Sequence, residues 1–254
     1  MIGRWLRKRR RQKILAEPMP AEHRRFIAHN VKGFANLSPK QQARLEDDAR
    51  VFVSEVSWDG GNGVQITDEV KLTIAAQACQ MLLGFDEQHA GFADVREVVV
   101  LETTYDWEIG RDRETQRPSV LGHTYYYGPV YLAWDAVRHG GQDPRDGRNL
   151  VYHEFAHKLD LSDGLADGTP DLAGRVKLQT WVDVMTAAYD ERCDRADAGR
   201  ATLLDQYGTE NPAEFFAVAT ECFFERGDAL RDRHPELYDV LRRYYRQDPA
   251  ARVG

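Results

Sequence analysis

The sequence predicts an α+β fold that is mainly helical, with a small mixed sheet. Three observations carry this prediction. Apolar residues recur at helical spacing from Leu45 to Val56 and again from Val70 to Leu82. Two short runs, residues 95–101 and 130–135, read as strands. A third helical stripe, Val151, Phe155 and Leu159, shares its helix with two histidines four residues apart on another face.

Composition sets outer limits. A chain of 254 residues can bury one sizeable core with a smaller helical attachment. Hydrophobic residues make up 42% and charged residues 30%, an ordinary globular balance. No apolar run approaches the length of a bilayer span, so none is expected. Cys79, Cys193 and Cys222 are odd in number and far apart, which excludes a disulfide framework and a C-x-x-C metal knuckle. Reduced thiols in a cytoplasmic protein are expected.

Charge is unevenly placed. Arg4, Arg7, Lys8, Arg9, Arg10, Arg11 and Lys13 put seven positive charges on the first thirteen residues, with no acid among them. The net charge of −7 therefore leaves −14 on the remainder, and no nucleic-acid binding is expected of so acidic a body. The basic start lacks the apolar core of a secretory signal. Residues 1–20, ending at Pro18 and Pro20, are expected to be a basic disordered tail; contact with anionic lipid or an acidic partner is the functional alternative. Residues 21–254 are expected to form one domain, helical over 21–90.

Along the chain, Ser38-Pro39-Lys40-Gln41 is a capping box with proline at the first helical position. The helix it opens turns Leu45, Ala49, Phe52, Val53 and Val56 inward. Residues 59–63 are too glycine-rich for regular structure and lack the lysine of a P-loop, so they read as a turn. Thr67 caps a second helix, with Asp68 and Glu69 suiting its dipole and Gly84 ending it. Cys79 is a small core residue of that helix. Residues 95–101 form a buried strand and residues 111–118 a charged loop. In residues 130–135, Val130, Leu132 and Trp134 alternate with Tyr131, Ala133 and Asp135. Pro129 suits an edge, either as an ordinary sheet border or as a place where an extended peptide adds a strand. Residues 140–147 read as a polar loop and Asn149 as a helix cap. Turn-rich residues 162–170 lead to a helix over 178–189, and residues 190–200 read as a charged loop.

Chemistry concentrates in His153-Glu154-Phe155-Ala156-His157. On a helix, His153 and His157 lie one above the other and can aim ring nitrogens at one metal ion. Glu154, one step round, can hold a water and take its proton. With 8 histidines in 254 residues the motif arises by chance about once in fifty such chains. The bland alternative is a helix with two surface histidines.

A hydrolytic zinc takes three protein ligands and keeps one position open. A local third ligand would be Asp163, but the glycine that turns the chain back is replaced by Asp160. A distal one would be Glu214, in the first turn of a helix capped by Asn211 and begun by Pro212. Asn-x-x-Glu also resembles a capping box, so Glu214 either binds metal or caps. Glu221, two turns on, is too far to share the ion and reads as a supporting residue. Asp160 either accepts the second ring N–H of His157 or ends the helix in solvent.

H-E-F-A-H-K-L-D followed by Tyr207-x₄-Pro212-Ala213-Glu214-Phe215-Phe216-Ala217-Val218 resembles the Mlc titration factor A family of bacterial zinc metallopeptidases. The resemblance extends to residues 66–69 and 75–78, to Gly128-Pro129-Val130 with Trp134, and to Tyr245-x-Gln247-Asp248-Pro249, covering roughly residues 35–250. It implies one zinc ion per chain on His153, His157 and Glu214, Glu154 as catalytic base, and Tyr207 at the site, as in the lethal-factor-like cores that this family is similar to. It further implies a weak aminopeptidase activity and capture of a transcriptional repressor. Residues 122–125 depart from the pattern, where a tryptophan-containing turn is expected. The expectation is therefore a zincin-type metallopeptidase domain with an H-E-x-x-H active-site helix, its catalytic part spanning residues 91–254. It would act on peptide or protein substrates, with Tyr207 donating a hydrogen bond to the oxyanion; the alternative is a regulatory protein that sequesters a repressor.

Overall fold

The computed structural model describes residues 2–86, 92–103 and 128–252; the charged run 111–118 and the departure at 122–125 lie outside them. In chain order the elements are α1 (Ile2–Ala16), α2 (Ala21–Asn30), α3 (Pro39–Glu55), β1 (Ser57–Gly60), α4 (Asp68–Met81), β2 (Glu97–Leu101), β3 (Val130–Ala133), α5 (Trp134–Gln142), α6 (Leu150–Asp160), α7 (Leu178–Asp197), α8 (Pro212–Glu225), α9 (Gly227–Arg233) and α10 (Pro235–Tyr245). Helix dominates and the sheet is small, an α+β arrangement. Among the described residues no helix is long and apolar enough to cross a membrane.

The three strands run in the order β1-β2-β3 and are all parallel, where a mixed sheet was expected. Trp58 pairs with Val98, and Val98 with Val130. Parallel neighbours need a crossover, and α4 supplies it between β1 and β2. β1 occupies part of the stretch read from sequence as a turn. Its four residues have weak strand propensity and gain their ladder only by pairing with β2. β3 ends at Ala133, two residues earlier than the alternation suggested, because Trp134 opens α5. Val130 and Leu132 are buried while Tyr131 is half-buried, and among the described residues β3 is an edge.

α4 is the central helix. Its buried residues run from Leu72 through Met81 without a break, wider than a single face, as befits a helix enclosed on all sides. Thr67 caps it by accepting from the Val70 amide. Gly84 follows because a Cβ there would sit 2.0 Å from the Tyr245 carbonyl oxygen. Buried Gln77 spends its amide on partners, donating to the carbonyls of Thr73 and Val137 and accepting from Asn149 Nδ2 at 2.9 Å. This links α4 and α5 to the start of α6. α3 lies against α4, opened by the full capping box of Ser38 and Gln41, with Leu45, Ala49 and Phe52 buried.

Three expectations are corrected. The basic tail is ordered over residues 2–16 as α1, because α3 offers it partners. Arg7 and Arg11 pair with Glu55 at 2.7 and 2.8 Å, and Arg10 donates to the Ser54 carbonyl at the C-terminal end of α3. Burial alone would raise the Glu55 carboxyl; the hydrogen bonds from Arg11 and Arg7 outweigh it and hold it at about 2. The polar loop at 140–147 is helical as far as Gln142, and Gly141 is required there, since a Cβ would meet the Asn30 carbonyl at 2.2 Å. The charged stretch 190–200 continues α7 to Asp197, supported by Glu191–Arg195 one turn apart and by buried Arg192, which donates to the Asp205 carbonyl.

α6 and α8 pack side by side, and nearly every residue of α8 is buried. Phe216 meets Trp181 of α7, which in turn meets Tyr244 of α10, with ring centroids 5.7 and 5.3 Å apart. The Tyr245 hydroxyl reaches Thr220 at 2.8 Å. α8 is thereby held firmly enough for its polar residues to be aimed.

Candidate metal centre

α6 begins at Asn149, whose side chain accepts from the Tyr152 amide at 3.0 Å. Val151, Phe155 and Leu159 are fully buried, and the opposite side presents His153, Glu154 and His157, each half-buried. α8 begins at Asn211, whose side chain accepts from the Glu214 amide, with Pro212 in the first turn. That is half a capping box. The Glu214 carboxylate does not close the other half; it crosses to α6.

His153 Nε2, His157 Nε2 and Glu214 Oε2 converge. The two nitrogens are 3.3 Å apart, and the oxygen lies 3.0 and 3.2 Å from them. Ligands about 2.0–2.1 Å from a tetrahedral zinc are separated by about 3.3–3.4 Å, so the donor set and its spacing fit such an ion. Of the sequence candidates, His153, His157 and Glu214 are brought together. Asp163 is not: it is exposed and accepts from the Leu165 amide in the turn after α6.

Glu221 supports the centre. Its Oε1 lies 2.7 Å from His153 Nδ1 and its Oε2 accepts from the Asn149 amide at 2.6 Å. The carboxylate keeps the proton on Nδ1, so Nε2 presents its lone pair inward. Burial disfavours a charged His153, but the bonds to Glu214 and Glu221 outweigh it and raise the ring to about 10. Burial would raise Glu214; the two histidines pull it down to about 2. With no ion between them, His153 and Glu214 thus hold a proton in common, and a zinc ion taking that place would displace it from Nε2, so metal binding is coupled to proton release. Replacing Glu221 by glutamine should loosen this grip and weaken zinc binding by about 10–100-fold, read by competition with a chelator. Unchanged affinity would show that Glu221 serves only the Asn149 amide.

Asp160 is neither a partner of His157 nor solvated. It is fully buried and accepts from the Gly168 amide at 3.0 Å, because the chain folds back over the end of α6. Burial raises its carboxyl to about 7, opposed by that amide. Tyr207 sits in the short 3-10 turn Gln206–Thr209, with its ring centroid 5.8 Å from that of His153 and 49% exposed. The turn is pinned by Asp205, which accepts from the Tyr207 amide and pairs with Arg148 at 2.7 Å. Lys158 donates to the Gly128 carbonyl at 3.0 Å, tying α6 to the entry of β3.

One supporting residue escaped sequence reasoning. Glu225, a turn beyond Glu221, accepts from the Gly147 amide at 3.1 Å, so two carboxylates of α8 grip the loop that starts α6. Burial above all raises its carboxyl to about 10, and Asp146 adds to this. The available signal was three acids, Glu214, Glu221 and Glu225, in an otherwise apolar helix.

Comparison with known proteins identifies the family. The profile of the family described as glucose-regulated metallo-peptidase M90 matches residues 4–246. Uncharacterized protein slr2042 of Synechocystis sp. is 34% identical over 256 residues, covering 96% of this chain and 90% of that protein. Mlc titration factor A of Yersinia pestis is 32% identical over 237 residues, covering 89% of this chain and 85% of that protein. Mlc titration factor A of Pectobacterium atrosepticum is 39% identical over 137 residues, covering 52% of this chain and 50% of that protein. The chain that brings these side chains of α6 and α8 together thus belongs to the M90 family of metallopeptidases.

Proposed function

We propose that the protein is a zinc-dependent, aminopeptidase-like hydrolase of peptide bonds, with one ion held by His153, His157 and Glu214. The observation that carries this is the convergence of two Nε2 atoms and one carboxylate oxygen within 3.3 Å of one another, with Glu154 next to His153 on the same helix. When bound, zinc supplies Lewis acidity that polarises a carbonyl and acidifies water. Glu154 takes the proton of the attacking water and returns it to the leaving amine. Glu221 holds His153 in the tautomer that ligates. The Tyr207 hydroxyl, on an exposed ring beside His153, donates a hydrogen bond to the developing oxyanion. Buried Cys79 and Cys222 and partly buried Cys193 are all free thiols, in keeping with a cytoplasmic setting.

Metal analysis combined with a peptide-library digest tests the reading. One zinc per chain and cleavage that stops on chelation and returns with zinc are expected. A metal-free protein, or cleavage indifferent to chelation, overturns it.

The relatives' name, Mlc titration factor A, favours a second reading, in which the chain captures a transcriptional repressor and cleavage is secondary. A His153→Ala variant that still retains the repressor would favour binding over catalysis.

A further inference from the structure

A cavity of about 430 Å³ lies between α1, α3 and residues 92–96, and none of His153, His157 and Glu214 lines it. Its lining includes five arginines, Arg7, Arg10, Arg11, Arg44 and Arg96, against three carboxylates, Asp48, Glu55 and Asp86. All three carboxylates are already engaged. Glu55 holds Arg7 and Arg11, Asp48 pairs with Arg44 at 3.3 Å, and Asp86 pairs with Arg246 at 3.0 Å. Arg44 is further fixed by the carbonyls of Leu82, Leu83 and Phe85. Among the described residues neither Arg10 nor Arg96 is paired with a carboxylate; Arg10 donates to the Ser54 carbonyl. Among the described residues, the guanidinium groups of Arg10 and Arg96 thus have no carboxylate partner, and both are exposed.

Part of the lining is apolar. Phe52 and Phe92 belong to it, packed edge to face at 6.3 Å, and both are buried. A site lined by both apolar rings and guanidinium groups has the chemistry to take an organic anion. Guanidinium recognises carboxylate and phosphate alike through its planar fork, and the volume is within the usual range for small-molecule sites. We propose that this cavity binds a small organic anion, its carboxylate or phosphate at Arg10 and Arg96 and its aromatic or aliphatic body on Phe52 and Phe92. The cavity also shares a wall with the active-site helix. Phe52 and Phe92 meet Phe155 of α6 with centroids 5.7 and 4.6 Å apart, and Phe155 lies between Glu154 and His157 in sequence.

Titration calorimetry on the full chain with phenyl phosphate, benzoate and inorganic phosphate tests this. Phenyl phosphate or benzoate should bind at a single saturable site with Kd below about 1 mM, and which of the two binds more tightly identifies the anionic group. Inorganic phosphate should bind at least about tenfold more weakly than phenyl phosphate, for want of a body to bury. The double variant Arg10→Glu/Arg96→Glu should weaken binding at least about tenfold. Lys8→Glu/Lys13→Glu makes the same change of charge at exposed positions outside the cavity and should stay within about twofold of the parent. Three results would overturn the proposal: no saturable binding of either organic anion, equal weakening in both double variants, or inorganic phosphate binding as well as phenyl phosphate.

Discussion

Glu154→Gln is expected to hold zinc as the parent does and to lose peptidase activity by about 10²–10⁴-fold. Glutamine keeps the shape of the side chain and a carbonyl oxygen to orient water, but it cannot accept a proton near neutrality. Glu154 lies outside the converging set of His153, His157 and Glu214, so metal content should not move. It sits half-buried on α6, which is held by the Asn149 cap and by its buried stripe, so the exchange leaves the fold intact. The measurement is kcat/KM on a cleaved peptide beside zinc content per chain. A fully active variant would remove Glu154 from the role of base. A variant that loses zinc would make it a ligand or a support instead.

The second large effect belongs to Glu214. Truncation to alanine removes the oxygen that closes the triangle with the two Nε2 atoms and leaves two ligands for an ion that needs three. Loss of a supporting partner already costs 10–100-fold in metal affinity, so loss of a ligand should cost more than about 100-fold. Asp163→Ala should bind zinc normally, because Asp163 spends its carboxylate on the Leu165 amide. Zinc content of both variants after dialysis against a weak chelator decides. If occupancy survives Glu214→Ala and fails in Asp163→Ala, the distal ligand is misassigned. The fold should tolerate the Glu214 change, since Asn211 caps α8 through the backbone amide of residue 214, which alanine retains.

How much of this was legible in the sequence depended on distance along the chain. Local signals read well. The Ser38 and Thr67 caps, the Asn149 cap and the helical placement of His153 and His157 all involve residues within four positions of one another, where spacing dictates geometry. Glu214 was left by spacing alone as either metal ligand or cap, and only the family resemblance implied the ligand. Its capping partner is three residues away, its histidine partners are about sixty, and only the packing of α8 on α6 decides which it serves. The same limit explains the errors. Nothing near β1 marks Ser57–Gly60 as a strand until β2 lies beside it. Nothing in a run of arginines says that Glu55, more than forty residues later, will order it. Asp160 was judged by its place at a helix end, yet the returning segment at Gly168 buries it.

Glu214, Glu221 and Glu225 also turn α8 into a ruler. Each reaches a different fixed point on α6 or its leading loop: the inward nitrogens of both histidines, the outward nitrogen of His153 with the Asn149 amide, and the Gly147 amide. A helix advances about 100° per residue. One residue inserted or deleted between Glu214 and Glu221 would swing the later two carboxylates off all their points at once, however apolar and helix-prone the new residue. The apolar residues between them can change identity with only packing to answer for. Their number is fixed by these contacts, so the spacing of acids along α8 is as much a part of the candidate site as the converging side chains themselves.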